Sequence, residues 1–321
     1  MAKRLPYIAG EWIKRQQPVQ FSFEGKACQG FVGDSISSAL WADGKRVLGR
    51  SFKYHRPRGI LSLANHDVNI LMQDGVDTHI RADVTPVQAG MQLHTINTGG
   101  HVLKDPQRWL DWLSPILPVG FYYKAFYKPK ALFPFWENII RRAAGLGVVN
   151  TEYRLPNPVK QHWYVDVLVV GAGTSGLNAA LTVAEGGASV LLVDENAELG
   201  GSLGYDRGGD PLQYAQLQQL LERVNAHTNI RLLTQSVVVG YYADHLLPVV
   251  TPQGLRKVRA KRVIVASGAF EQPPVFRHND LPGIMLGSAA QRLVYRYSIA
   301  PFENGVVLTA NDHGYRVALD L

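Results

Sequence analysis

Residues 166–195 constrain this chain more than any other stretch. Asp166-Val167-Leu168-Val169-Val170 is apolar after its first residue, the signature of a central parallel strand covered on both faces. It runs into Gly171-Ala172-Gly173-Thr174-Ser175-Gly176, a GxGxxG turn, and then into a helical stretch from Leu177 to Glu185. Gly186-Gly187 ends that helix, and Ser189 to Val193 reads as the next strand, closed by Asp194-Glu195.

Each part has a physical role. Gly171 permits the tight strand-to-helix turn, Gly173 lets a pyrophosphate approach the backbone, and Gly176 allows close helix–strand packing. The phosphates then meet free N–H groups at a helix N-terminus. An acid closing the second strand accepts from a ribose diol and repels a 2′-phosphate, so NAD or FAD is expected over NADP. A lone GxGxxG is weak; with strand, helix and acid in place it is a strong dinucleotide signal.

Downstream residues extend the pattern. Glu198-Leu199-Gly200-Gly201-Ser202 brings two glycines soon after the acid, with Ser202 as a donor towards the nucleotide. Asp210-Pro211 opens a helix to about His227, Pro standing at its first position. Strands are expected at 230–234, 236–242 and 246–250. Arg262 to Ala266 is a further strand running into Ser267-Gly268, and that order is the layout of two-dinucleotide-domain flavoproteins. Gly305 to Ala310 reads as the first strand of a second βαβ unit, with Asn311-Asp312-His313-Gly314-Tyr315 in place of a GxGxxG. That unit is expected to be incomplete, and the chain to be a fragment.

The region before residue 163 differs in kind. Residues 19–23 alternate as a strand does, Glu24-Gly25 makes a hairpin turn, and Asp34 or Ser35 caps a short helix to Ala42 that Asp43-Gly44 stops. That is how a small β-grasp domain begins. Residues 86–162 are broken by prolines and rich in aromatics from Trp109 to Trp136, which suggests either an arm on another domain or subunit or a connector packed on its own chain. The expected domains are therefore 1–85 (β-grasp), 86–162 (connecting segment), 163–302 (Rossmann-like) and 303–321 (start of a second dinucleotide unit).

Composition narrows the chemistry. Cys28 is the one cysteine of 321 residues, so an internal disulfide, a redox CxxC pair and a Cys-ligated iron–sulfur cluster are not expected. Cys28 itself reads as a packing residue. Residues 1–162 carry 21 Lys and Arg against 12 Asp and Glu, while 163–321 carry 12 against 14. The positive excess is confined to one half and no recognition motif accompanies it, so partner docking or an anionic ligand fits better than nucleic acid. The strip Arg50, Lys53, His55, Arg56, Arg58 faces a flavin phosphate, another subunit or, as a plain loop, solvent. No histidine spacing suggests a metal, and no residue stands out as a general base or nucleophile. Without a membrane-length apolar run or a signal-peptide h-region, the chain is expected to be soluble and cytoplasmic.

The residues resemble a known family, the α subunit of heterotetrameric sarcosine oxidase and related amine-oxidising complexes. The likeness rests on Gly30-Phe31-Val32-Gly33-Asp34-Ser35 through Leu40, on Gly49-Arg50-Ser51-Phe52-Lys53-Tyr54-His55-Arg56-Pro57-Arg58-Gly59-Ile60, and on Asp194-Glu195 with Gly200-Gly201-Ser202. Gly240-Tyr241-Tyr242, Gly268-Ala269-Phe270-Glu271 and Asn279-Asp280-Leu281-Pro282-Gly283 match in order. The resemblance covers the family's N-terminal third. It implies a ferredoxin-like β-grasp domain and a dinucleotide-binding region holding NAD, with a flavin (FAD or FMN) at a subunit interface and β, γ and δ partner subunits. It also implies an assembled complex that demethylates sarcosine, passes the carbon to tetrahydrofolate and reduces oxygen to peroxide. The implied NAD contacts are Gly171, Gly173, Ser175, Gly176, Asp194, Glu195, Asn196 and Ser202, with Val238 as a backbone contact. Where relatives carry cluster-binding cysteines this chain has Ser62 to Asn69, so no iron–sulfur cluster is expected. Two other readings stand beside this one: a free-standing flavoprotein reductase with FAD at Gly171, and a non-catalytic truncated product.

Overall fold

A computed structural model of the chain describes residues 4–75, 77–115, 120, 128–143, 147, 150–152 and 158–321. They form two compact units: residues 1–153 with 273–306, and residues 154–272 with 307–321.

In the first unit a hairpin starts the sheet. Strands β1 (Lys14–Phe23) and β2 (Lys26–Val32) pair antiparallel around Glu24 and Gly25. Both turn residues have positive φ, 51° and 74°, the geometry whose twist suits a two-residue hairpin. Short strands β3 (Gly49–Arg50) and β4 (Pro57–Arg58) pair with each other. Strands β5 (Leu71–Asp74), β6 (Asp77–Arg81) and β7 (Gln92–Thr95) complete a five-stranded sheet in the order β2-β1-β7-β5-β6. Helix α1 (Ile36–Ala42) lies on it, with the Ser35 hydroxyl accepting from the Ser38 amide at 3.2 Å. The expected turn, cap and helix stop are all found.

The chain returns to this core late. A short helix α2 (Phe133–Ala143) carries the end of the aromatic stretch, Phe133, Phe135 and Trp136. Residues 273–306 belong to the first unit, although the sequence pattern placed 273–302 with the nucleotide-binding region. Leu286, Ala289, Leu293, Tyr297 and Ile299 are buried in one cluster with Phe21, Leu40 and Trp41. An amphipathic helix announces that one face is buried, not against what. Of the aromatics expected to pack in the connecting segment, Trp109 is 58% exposed and Trp112 90%; Phe121, Tyr122, Tyr123, Phe126 and Tyr127 lie outside the described residues.

The second unit is a six-stranded sheet. Strands β8 (Val159–Val170), β9 (Val190–Val193), β10 (Ile230–Leu233), β11 (Val237–Val238), β12 (Leu246–Thr251) and β13 (Gly254–Val265) run in the order β10-β9-β8-β13-β12-β11. The first four in that order are parallel, and β12 and β11 are antiparallel additions. Helices α3 (Thr174–Glu185) and α4 (Leu212–Ala226) bury Leu177, Leu181, Leu217 and Val224 with Val167, Val169, Val190 and Leu192. On the opposite face, Leu168, Leu191 and Val193 pack with Leu247, Val249 and Val258. Covering both faces explains why this strand core is apolar at every position.

Two expectations fail here for one reason. The first strand begins at Val159, not Asp166, because Val159 to Val165 pair with Gly254 to Ala260 of β13. Conversely, 305–310 forms no strand, and Val306 and Leu308 are 96% and 66% exposed. A strand exists only where a neighbour completes its ladder. Helix α5 (Gly287–Tyr295) belongs to the first unit, and α6 (His313–Asp320) to the second. Arg316 of α6 pairs with Asp206 at 3.0 Å, and Asp320 accepts from the amides of Arg207 and Gly209. No described helix is long and apolar enough to cross a membrane.

Candidate dinucleotide site

The glycines of the turn divide their work as their spacing predicts. Gly171 has φ +99°, and a Cβ there would lie 2.4 Å from the Ala266 carbonyl oxygen. At Gly176 a Cβ would lie 1.8 Å from the Gly171 carbonyl oxygen, so any side chain would force α3 off the turn. Gly173 is different: a Cβ would meet only the Gly201 Cα, at 3.9 Å. Its open face is free for a ligand rather than filled by protein.

Gly173 also caps α3, and no side chain satisfies the first amides of that helix. Thr174 and Ser175 are exposed beside them. Bare N–H groups carrying the positive end of the helix dipole make an oxyanion site. Gly200 and Gly201 close it from across the turn: Gly200 bridges Gly173 and donates its amide to the Ala172 carbonyl at 2.9 Å. Both have positive φ, and a Cβ on Gly201 would come within 2.8 Å of the Gly173 Cα.

The two acids that close β9 play unlike parts. Asp194 is buried and turned onto the glycine loop: its Oδ2 accepts from the Ala172 amide at 2.6 Å. Its Oδ1 accepts from the backbone and side-chain amides of Asn196 at 2.8 and 2.9 Å. Glu195 is exposed, with no partner among the described residues. A carboxylate oxygen has two lone pairs, so Asp194 keeps some capacity for a ribose hydroxyl while it fixes the loop.

The remaining predicted positions gather around these. Ser202 is exposed and Asn196 half-buried. The amides of Gln235 and Ser236 donate to the carbonyls of Asn196 and Asp194, which places Val238 two residues beyond that tie. The Ala266 amide donates to the Val170 carbonyl at 2.7 Å, and Gly268, exposed with φ +77°, follows two residues later. The site thus lies at the carboxyl ends of β8, β9 and β13, where open parallel sheets bind ligands. It is a surface groove. An open trough of about 600 Å³ lies instead against the middle of β8, lined by Tyr164, Asp166, Ser189, Asp244, His245 and Lys261. There the Asp166 carboxyl is held below the usual carboxylate range by Lys261 and Ser189.

The basic strip is held by partners within its own unit. Arg50 donates to the carbonyls of Val102 and His55 at 2.7 and 2.6 Å, and the His55 ring lies 2.7 Å from the buried Asp105 carboxylate. Arg56 pairs with Asp111 and Arg58 with Asp280, each at 2.6 Å. Internal carboxylates therefore neutralise most of its charge.

Comparison with known proteins follows this division. Residues 16–98 match the family described as a 2Fe-2S iron-sulfur cluster binding domain, and residues 165–298 that of pyridine nucleotide-disulphide oxidoreductases. The sarcosine oxidase subunit alpha of Rhizobium meliloti (strain 1021) is 36% identical over 96% of this chain and 33% of its own. That of Corynebacterium sp. (strain P-1) is 29% identical over 96% of this chain and 30% of its own. This chain thus spans about a third of the length of these curated relatives. The L-proline dehydrogenase of P. horikoshii superposes with TM-score 0.62 at 21% identity, covering 90% of this chain and 48% of that one, which speaks for the fold.

The first match corrects an expectation. The match of residues 16–98 to a family described as a 2Fe-2S iron-sulfur cluster binding domain runs against the expectation of no iron–sulfur cluster and overturns it as an inference from sequence. The donor set present here does not fit the four thiolates such a cluster takes. Cys28 is the sole cysteine; it is buried, its thiol lies 3.5 Å from the Lys26 carbonyl, and burial helped by Asp43 pushes it up to about 11. In the stretch Ser62 to Asn69 the Asp67 carboxylate accepts from the amides of Leu61, Ser62 and Leu63 and from the Ser62 hydroxyl. No step is derived through a cluster.

Proposed function

We propose that this chain, which spans about a third of the length of the sarcosine oxidase α subunits it matches, is the NAD-holding part of a flavin-dependent complex that oxidises a secondary amine. The observation that supports it is the bare N-terminus of α3 beside Gly173 and Gly201, with Asp194 and Glu195 at the adjoining strand end. The amides of Thr174, Ser175 and Gly176 hold the pyrophosphate, and Gly173 lets it come close. Asp194 sets the conformation of the loop through Ala172, and Glu195 takes the ribose diol. Asn196, Ser202, Val238 and Gly268 line the nucleotide's path. NAD, when bound, supplies a nicotinamide able to carry a hydride.

No residue of this chain is assigned to the amine chemistry, which suits a scaffold whose β, γ and δ partners complete the enzyme. Sarcosine is the substrate this reading favours, with its methyl carbon passed to tetrahydrofolate, electrons to oxygen to give peroxide, and FAD or FMN at a subunit interface. A cytoplasmic location goes with it.

Isothermal titration of the purified chain with NAD⁺, NADP⁺ and FAD tests the site. NAD⁺ is expected to bind, and NADP⁺ at least about tenfold more weakly, because its 2′-phosphate meets the like charge of Glu195. Glu195→Arg should narrow or reverse that ratio. Tight FAD binding with a flavin spectrum would replace this reading with that of a free-standing flavoprotein, and no binding of any of the three would sink both.

A further inference from the structure

One charged side chain in the second unit has lost its counter-charge. Arg256, in β13, is 8% exposed, and its Nε and Nη1 have no hydrogen-bond partner. It sits between Gln161 of β8 and Val249 of β12 in the sheet register. Its one side-chain contact of note is the ring of Trp163, whose centroid is 5.4 Å from the guanidinium carbon. Arg231, exposed on β10, lies over the same ring at 3.6 Å. Neither guanidinium forms an ion pair with the described residues.

Two cations on one indole, with no carboxylate between them, is an unbalanced arrangement. An aromatic face compensates part of a cation's lost hydration, but it supplies no acceptor for the N–H groups. Buried donors are paired in the great majority of native structures, and an unpaired buried charge is costly. The planar Nε–Nη edge is shaped for the two oxygens of a carboxylate or phosphate.

We infer that Arg256 and Arg231, with Trp163, form a binding site for an oxyanion, a phosphate or carboxylate group that comes from outside this chain. The site is separate from the glycine turn and independent of the nucleotide reading. The indole orients the two guanidiniums, and the arriving oxyanion accepts from Arg256 and neutralises the pair.

Thermal melting of the full chain in inorganic phosphate or succinate, against sodium chloride of equal ionic strength, tests it. Wild type should gain about 2–4 °C in at least one oxyanion, the shift that ~1 kcal/mol of linked binding produces in a chain of this size. A gain in phosphate alone assigns a phosphorylated ligand; a gain in both assigns a carboxylate as an equal ligand. Arg256→Met should lose the gain while melting in chloride no lower than wild type, since an uncompensated charge is gone. If Arg256→Met does not fold, Arg231→Met, at an exposed position, should still abolish the gain. Equal melting of wild type in all three salts overturns the site. So does a gain that persists in the variants, which would belong to the amides of α3.

Discussion

The two units handle charge in different ways. In the first, three buried carboxylates are each met by several donors, while the Oδ1 of a fourth, Asp83, has no hydrogen-bond partner among the described residues. Asp34 accepts from the Phe31 amide, the Ser38 hydroxyl and Arg4, Asp67 from three amides and a hydroxyl, and Asp105 from the Gly99 and Gln107 amides beside His55. The second leaves polar groups open: the first amides of α3, the exposed Glu195 and Ser202, and the guanidiniums of Arg231 and Arg256. Satisfied polar networks stiffen a fold, while unsatisfied donors mark places where a ligand completes one. Both units keep buried polar atoms without partners, Ser37 Oγ and Trp41 Nε1 in the first and the Arg256 guanidinium in the second, but the open helix N-terminus beside a glycine turn belongs to the second.

The largest blow to that contrast should come from Gly176→Val. Its side chain collides with the Gly171 carbonyl, so the second unit should lose upwards of about 4 kcal/mol and become protease-sensitive, while the first stays resistant. Fragments identified by mass spectrometry after brief trypsin treatment decide it. In the first unit, Asp67→Ala strands the amides of Leu61, Ser62 and Leu63. A cost of about 3 kcal/mol is expected, read from urea melts, with no change in nucleotide affinity. Gly173→Ala separates binding from folding, since a Cβ there makes only ordinary contact with the Gly201 Cα, at 3.9 Å. Melting should hold within about 1 °C while NAD⁺ affinity falls about tenfold or more, which is ~1.4 kcal/mol.

A gentler probe uses pH. Burial, then the neighbouring Asp67, raise the Asp83 carboxyl above its ordinary 3.8. The folded state thus holds that proton more tightly than the unfolded one. Its contribution to stability is complete below the ordinary carboxylate range and is lost as pH rises through the raised value. Asp83→Asn should flatten that decline in melting curves taken from acid to neutral pH; an unchanged slope would place the dependence elsewhere. Smallest in energy but most selective is Cys28, the chain's sole thiol, buried in the first unit. A thiol reagent at neutral pH should label it only under conditions that open that unit, and not when the second unit alone is disrupted by Gly176→Val.

The strand–glycine turn–helix arrangement was legible in the sequence, the tie at Asp194 less so. The duty of Gly176 is steric contact within a few residues, with the Gly171 carbonyl, whereas the neighbours of Gly171 and Gly173 are Ala266 and Gly201, farther along the chain. That Asp194 spends its Oδ2 on the Ala172 amide, leaving Glu195 as the exposed acid, depends on a side-chain direction that strand periodicity does not give. Arg256 left a faint trace, an arginine at a position whose same-face neighbour is the buried Val258. Alternation within a strand hints at such burial but cannot show that a counter-ion is missing.

What the amino-acid order fixed by itself is local: the Glu24-Gly25 hairpin, the Ser35 cap, the glycine turn and the helix after it. Each follows from dihedral limits and hydrogen bonds between residues near in the chain. Only the tertiary structure decided that Val159 to Val165 extend a strand, that Gly305 to Ala310 do not form one, and that residues 273–306 complete the first core. Ladders and cores need partners far along the sequence, and a segment's own residues state what it can pair with but not what it meets.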